Sequence, residues 1–325
     1  MKKIISIIII LTLAAGCFAS CGKPQNNHDN SKLKIVTTIF PEYDWVMQIL
    51  GEKSENAEVT LLLDNGVDLH SYQPTVDDIV KISDCDLFIY VGGESDEWVE
   101  DTLAQAKNEN MLTVNLLDAL GSTIKEEEIK EGMQGEEEDG EEAEEEPEYD
   151  EHVWLSLKNA VILCNEICEK ICEINPENGQ VYKANTTDYV SKLEKLDAEY
   201  KSVVDNSKNK TLVFADRFPF RYLVDDYGID YYAAFVGCSA ESEASFETIV
   251  FLAKKLDELG LSSVMQIESS DGSIARAVKE AGASKDQTEL TLDSMQSRQS
   301  KDIENGVTYY SIMESNLQVL KEALK

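Results

Sequence analysis

The chain has 325 residues, and 63 acidic side chains against 29 basic ones leave a formal charge of −34. A surface this acidic repels nucleic acid and anionic lipid, and the length allows two domains of ordinary size. Five cysteines lie outside the amino-terminal segment, an odd number with no C-x-x-C pair. That excludes a full disulfide framework and a zinc-finger or redox motif.

Lys2 and Lys3 precede an apolar run from Ile4 to Ala15, then small residues with Cys17 and Cys21. Residues 1–21 read as a secretory signal of the bacterial lipoprotein kind, too short for an ordinary membrane span. Either cysteine suits the acylated position. A polar tether with His28 follows.

Lys34–Thr38 reads as a first strand, leading through Phe40-Pro41 into a helix with Tyr43, Val46, Met47 and Leu50 on one face. Val59–Leu63, Leu87–Val91 and Thr113–Leu116 read as further strands. Helices are expected between them, over Val76–Ile82 and about Asp96–Ala106. Strands alternating with helices specify βα units and a mainly parallel sheet. From Glu126 to Glu148 the composition collapses to Glu, Asp and Gly. That stretch is expected to be a solvated loop without a core.

Two helices come next, Lys158–Cys172 and a longer one over about Gly179–Asn206, with an apolar stripe of Tyr189, Leu193, Leu196, Tyr200 and Val203. Cys164, Cys168 and Cys172 share a face of the first and read as small core residues. A second block then repeats the first, with strands at Thr211–Ala215, Asp230–Phe235, Ser263–Ile267 and Glu289–Leu292. The expected organisation is a lobe over 32–175 with its acidic loop at 126–148, a connecting helix over 176–208 and a lobe over 209–325. The fold class is α/β: two βα domains with mainly four-stranded parallel sheets, joined by a long rigid helix, with a cleft between them.

Histidine is scarce, with three in the chain. His70 sits in Val67-Asp68-Leu69-His70-Ser71-Tyr72-Gln73-Pro74-Thr75, and His152 in Asp150-Glu151-His152-Val153-Trp154-Leu155. Ligands of open parallel sheets bind past the carboxyl ends of the strands. His70 follows the second strand, His152 closes the first block, and Asp216 and Asp293 follow the first and fourth strands of the second. Two imidazoles and two carboxylates suit Zn²⁺ or Mn²⁺. For Asp216 and Asp293 a helix-capping role is the other reading. No HExxH, GxSxG or P-loop is present, so a binding protein is expected rather than an enzyme.

The two histidine motifs, together with Leu292-Asp293-Ser294 and Gly306-Val307-Thr308-Tyr309-Tyr310 through Asn316-Leu317, resemble the zinc- and manganese-binding lipoproteins of bacterial ABC importers, the cluster A-I solute-binding proteins. The resemblance covers nearly the whole chain after the signal. It implies a monomer lipid-anchored on the extracytoplasmic face of the cell membrane. It also implies capture of zinc, or alternatively manganese or iron, for delivery to an ABC permease, with a metal-containing surface adhesin as the other alternative. The metal ligands it implies are His70, His152, Asp216 and Asp293. The chain departs from the family twice. The family's third ligand, His or Glu, falls on Asp216 only with one inserted residue, and on Arg217 without it. The loop before His152 is rich in Glu instead of His.

Overall fold

Eight short strands, each flanked by amphipathic helices, form two four-stranded sheets of orders β2-β1-β3-β4 and β6-β5-β7-β8. The computed structural model describes residues 32–134, 148–239 and 243–325. The signal with Cys17 and Cys21, His28 and most of the acidic stretch lie outside them. Every strand pairing is parallel, and the two orders are the same pattern repeated, as the alternation of elements predicts. In the first sheet β1 is Leu33–Thr37, β2 Ala57–Leu61, β3 Leu87–Tyr90 and β4 Leu112–Asn115. In the second β5 is Thr211–Phe218, β6 Asp230–Val236, β7 Ser263–Ile267 and β8 Thr288–Leu292.

One boundary differs in a way that matters. β5 does not end at Ala215 but runs on to Phe218, with its register against β6 shifted between Phe214 and Arg217. A β-bulge lets a strand continue with one residue unpaired. Asp216 therefore lies inside the strand, not beyond its end.

The long helix spans Gly179–Asn206, 28 residues, and buries Tyr182, Tyr189, Leu193, Leu196, Tyr200 and Val204. Those positions step by seven, four and three, which is one face of a helix. It packs against the helices Phe40–Leu50, Leu157–Ile174 and Tyr309–Ala323, so the connector is a wall of the core. Cys164 and Cys168 are buried on the Leu157–Ile174 helix and Cys172 is partly exposed. A single apolar core reaches from Ile35 and Trp45 in the first lobe to Phe214, Met265 and Leu292 in the second. A smaller core fills the space between the second sheet and its helices Phe246–Leu259 and Ser273–Ala281.

The start of the acidic stretch departs from a structureless loop. Glu126 bridges to Tyr149 and Gln134 to Phe235, and the Gln134 amide donates to the Ala234 carbonyl at 2.9 Å. Met133 packs against the core. An apolar anchor and a free sheet edge outweigh the charge around them, since β6 offers unpaired backbone groups there.

The first helix carries a buried acid. Glu42 accepts from the Thr38 and Ile39 amides at 2.8 and 3.2 Å. Burial first, and the charge of Asp96 second, raise its carboxyl from 4.5 to about 8. The fold then holds the proton more tightly than the unfolded chain does. The stabilisation is complete below 4.5 and is lost as pH rises through about 8. Thermal melts followed by circular dichroism should show the parent losing stability across that window more steeply than Glu42→Gln. Parallel curves for the two would mean that Glu42 is ionised in the fold.

Candidate metal centre

His70 is placed by a single 3-10 turn, Leu69–Ser71, whose N-cap Asp68 accepts from the His70 amide at 3.1 Å. His152 stands just before the 3-10 turn Val153–Leu155, and Asp150 accepts from its amide at 2.9 Å. Both histidines have an Asp two residues before them whose side chain accepts from the histidine amide, the local hydrogen bond that Asp makes readily. The two imidazoles meet with their Nε2 atoms 3.1 Å apart. Two imidazoles on a tetrahedral zinc, each at the usual bond length, stand about 3.3 Å apart.

The outer edge of each ring is held as well. His152 Nδ1 lies 3.1 Å from Asp150 Oδ1. His70 Nδ1 lies 2.8 Å from Ser95 Oγ and 3.5 Å from Glu151 Oε2. The consecutive acids Asp150 and Glu151 thus back different histidines. The Gln296 side-chain nitrogen lies 2.8 Å from His152 Nε2. With Nδ1–H donated to Asp150, His152 presents its lone pair inward. A carboxylate behind an imidazole orients it and makes it a stronger ligand.

Electrostatics separate the rings. Burial, then His152, lowers the pKa of His70 to about 3, so it is a neutral donor. Burial lowers His152 too, but Asp150 first, then Glu151 and Glu127, more than reverse this and raise it. Burial also raises the carboxyl groups of Glu151 and Glu127.

The expected carboxylates are not brought to these rings. Among the described residues, the group whose ligand atoms lie within 4.8 Å of one another is His70, His152 and Cys238. Asp216, inside the bulged strand, accepts from the Arg217 amide at 2.9 Å and the Ile267 amide at 3.3 Å. It satisfies backbone groups that the bulge leaves open. Asp293 Oδ1 accepts from the Met295 amide at 2.9 Å, and its Oδ2 pairs with Arg298. Met295 has a φ of 64°, a conformation uncommon for a side-chain-bearing residue, and the Asp293 bond supports it. That turn delivers the Ser294 carbonyl to Trp154 Nε1 at 2.8 Å and Gln296 to His152. Arg217 pairs with Asp68 at 2.8 Å. Glu268, directly after β7, is occupied by the Ser294 amide and hydroxyl.

Cys238 escapes a reading based on Cys-x-x-Cys spacing. The signal that finds it is its place two residues past β6, the strand-end rule that located His70. Burial first, then Asp150 and Glu127, push its thiol well above the ordinary value.

Two similar βα lobes, with two imidazoles and a thiol gathered between them, define the two-lobed fold of solute-binding proteins. The chain belongs to the ZnuA family, described as zinc-uptake complex component A, periplasmic, whose model matches residues 35–323. It is 30% identical over 325 residues to the zinc-binding lipoprotein AdcA of Streptococcus pneumoniae, covering 99% of this chain and 61% of that protein. It is 28% identical over 315 residues to the high-affinity zinc uptake system protein ZnuA of Bacillus subtilis, covering 96% of this chain and 94% of that one. The Zn(II)-bound ZnuA-like domain of S. pneumoniae AdcA superposes with a TM-score of 0.70 at 27% identity, over 90% of this chain and 99% of that domain. The laminin-binding protein Lmb of Streptococcus agalactiae, at 20% identity and a TM-score of 0.71 over 90% of this chain and 100% of that one, shares the fold.

Removing a carboxylate that backs a metal-binding imidazole costs about 10–100-fold in affinity. Asp150→Asn, titrated against a competing fluorescent chelator, should lose zinc affinity in that range, and an unchanged value would make Asp150 merely structural. Asp216→Ala and Asp293→Ala should instead keep affinity close to the parent and lower the melting temperature, because they hold backbone. A large affinity loss with unchanged melting would return either one to the ligand set.

Proposed function

We propose that this chain is the extracytoplasmic zinc-binding component of an ABC importer, lipid-anchored through Cys17 or Cys21, which captures zinc and hands it to the membrane permease. It acts as a monomeric binding protein without catalysis. The observation that carries this reading is the pair of inward-facing Nε2 atoms of His70 and His152, 3.1 Å apart in a buried pocket. Each ring is braced from behind, which is how proteins present imidazole to a metal. Support also comes from relatives named for zinc binding and zinc uptake. Of the four ligands expected from sequence, His70 and His152 remain in the proposal. Asp216 and Asp293 leave it because their oxygens are committed elsewhere.

Manganese is disfavoured, since it suits carboxylate, carbonyl and water ligands more than imidazole. The adhesin alternative rests on the laminin-binding neighbour, which speaks for the fold alone.

Calorimetric titration of the metal-free protein with zinc should show one tight site per chain. His70→Ala and His152→Ala should each abolish tight binding, because the remaining groups are arranged for a closed shell. A parent protein that takes up no zinc at neutral pH would sink the reading.

A further inference from the structure

We infer that the sulfur of Cys238, as a thiolate, is the third protein ligand, and that it makes the site a nitrogen–sulfur centre that takes zinc and rejects manganese. This rests on the metal-capture reading above and specifies its ligand chemistry.

The fold places Cys238 where a ligand belongs. Within the two sheets β2 and β6 are counterparts, each the edge strand beside the first strand of its block. His70 lies on the loop that leaves β2, and Cys238 lies two residues after β6. The two loops face each other across the cleft and bring their ligand atoms, with His152 between the lobes, within 4.8 Å of one another. On a tetrahedral zinc, nitrogen and sulfur ligands stand about 3.6 Å apart, so a small inward movement closes the shell.

The surroundings of Cys238 are those of a ligand loop rather than a core cysteine. Cys85, Cys164 and Cys168 are buried, Cys172 and Cys238 are partly exposed, and of the five only Cys238 stands beside the two histidines. It borders a cavity of about 380 Å³ lined also by His70, Ser95, Glu127 and Glu151. The Oε2 atom of Glu151 is buried there without a hydrogen-bond partner, 3.5 Å from Nδ1 of His70.

Three contacts fix the loop. The Cys238 amide donates to Glu127 Oε1 at 3.1 Å. Arg217 donates through Nη1 to the Ser239 carbonyl at 3.2 Å and through Nη2 to Asp68 at 2.8 Å. A single planar guanidinium thereby ties the Cys238 loop to the Asp that caps the His70 turn. Gly237 completes the approach: a Cβ there would stand 3.0 Å from His152 Cε1 and 3.0 Å from the Phe218 carbonyl. Any larger residue would press on the ring or on the Phe218 carbonyl unless one of them gave way by a few tenths of an ångström.

The selectivity follows from donor softness. Thiolate and imidazole favour zinc, whereas manganese favours oxygen. Arg217 is a cation that cannot ligate, and Cys238 supplies the donor from the neighbouring strand instead.

Cobalt(II) is the probe, because a thiolate bound to it gives a near-ultraviolet charge-transfer band. The full folded chain, reduced and metal-free, is titrated with cobalt and then displaced with zinc. The parent should show the band. Cys238→Ser should bind cobalt without it and lose zinc affinity by more than about tenfold, the lower bound for losing even an outer-shell partner. Cys238→His should bind zinc tightly without the band, which separates ligand loss from misfolding. Cys238→Asp should narrow the preference for zinc over manganese in a direct competition. A parent that binds cobalt without the band, or a band that persists in Cys238→Ser, overturns the thiolate ligand and leaves the metal-capture function standing. A parent that binds neither metal overturns the function itself.

Discussion

The structure depends on burying the run Asp150 to Leu155, every residue of which is at most 2% exposed. Two acids and an imidazole side by side in a protein interior cost several kcal/mol each if unpaired. Around this run the fold therefore supplies hydrogen bonds to side chain and backbone alike, from both lobes, with the Oε2 atom of Glu151 left without one. Tyr222, in the second lobe, donates to the Asp150 carbonyl at 2.9 Å. Ser95, in the first, donates its amide to Glu151 at 2.9 Å. Trp154 next to them donates to Ser294 and accepts, through its carbonyl, from the Tyr309 hydroxyl at 2.7 Å. Leaving any of these polar groups unmatched would be costly, so the pairings set the two lobes against each other as firmly as the apolar contacts do.

That arrangement decides what can move. The main core is continuous from one sheet to the other, and the 28-residue helix lies along it in contact with helices from the start and end of the chain. Dense cores of this kind resist continuous deformation. Any adjustment is left to the loops at the cleft, where His70 and Cys238 sit on short turns held by Asp68, Glu127 and Arg217. The acids around the cavity add a local negative field at its mouth, which favours a divalent cation over an anion at the point of entry.

Much of this protein was determined by its sequence alone. The alternation of strands and helices set two parallel sheets of one topology, because the period of apolar residues decides which faces must be covered. The stripe on the long helix set its burial. The two histidines were legible because imidazole was rare and each sat two residues after an Asp in a loop. Which other groups stand beside the two rings was decided by the tertiary structure alone. Asp216 looked like a residue past a strand end, but a bulge carried β5 two residues beyond it, and bulges depend on the neighbouring strand. Asp293 stood where expected in the chain, yet Arg298 and a strained Met295 claimed it. Cys238 was one odd cysteine among five, and its place just past β6 is one it shares with other strand-end residues that do not reach the rings. What sets it apart is its distance to His70 and His152, residues far apart in the chain, and such distances exist only once two lobes have packed together.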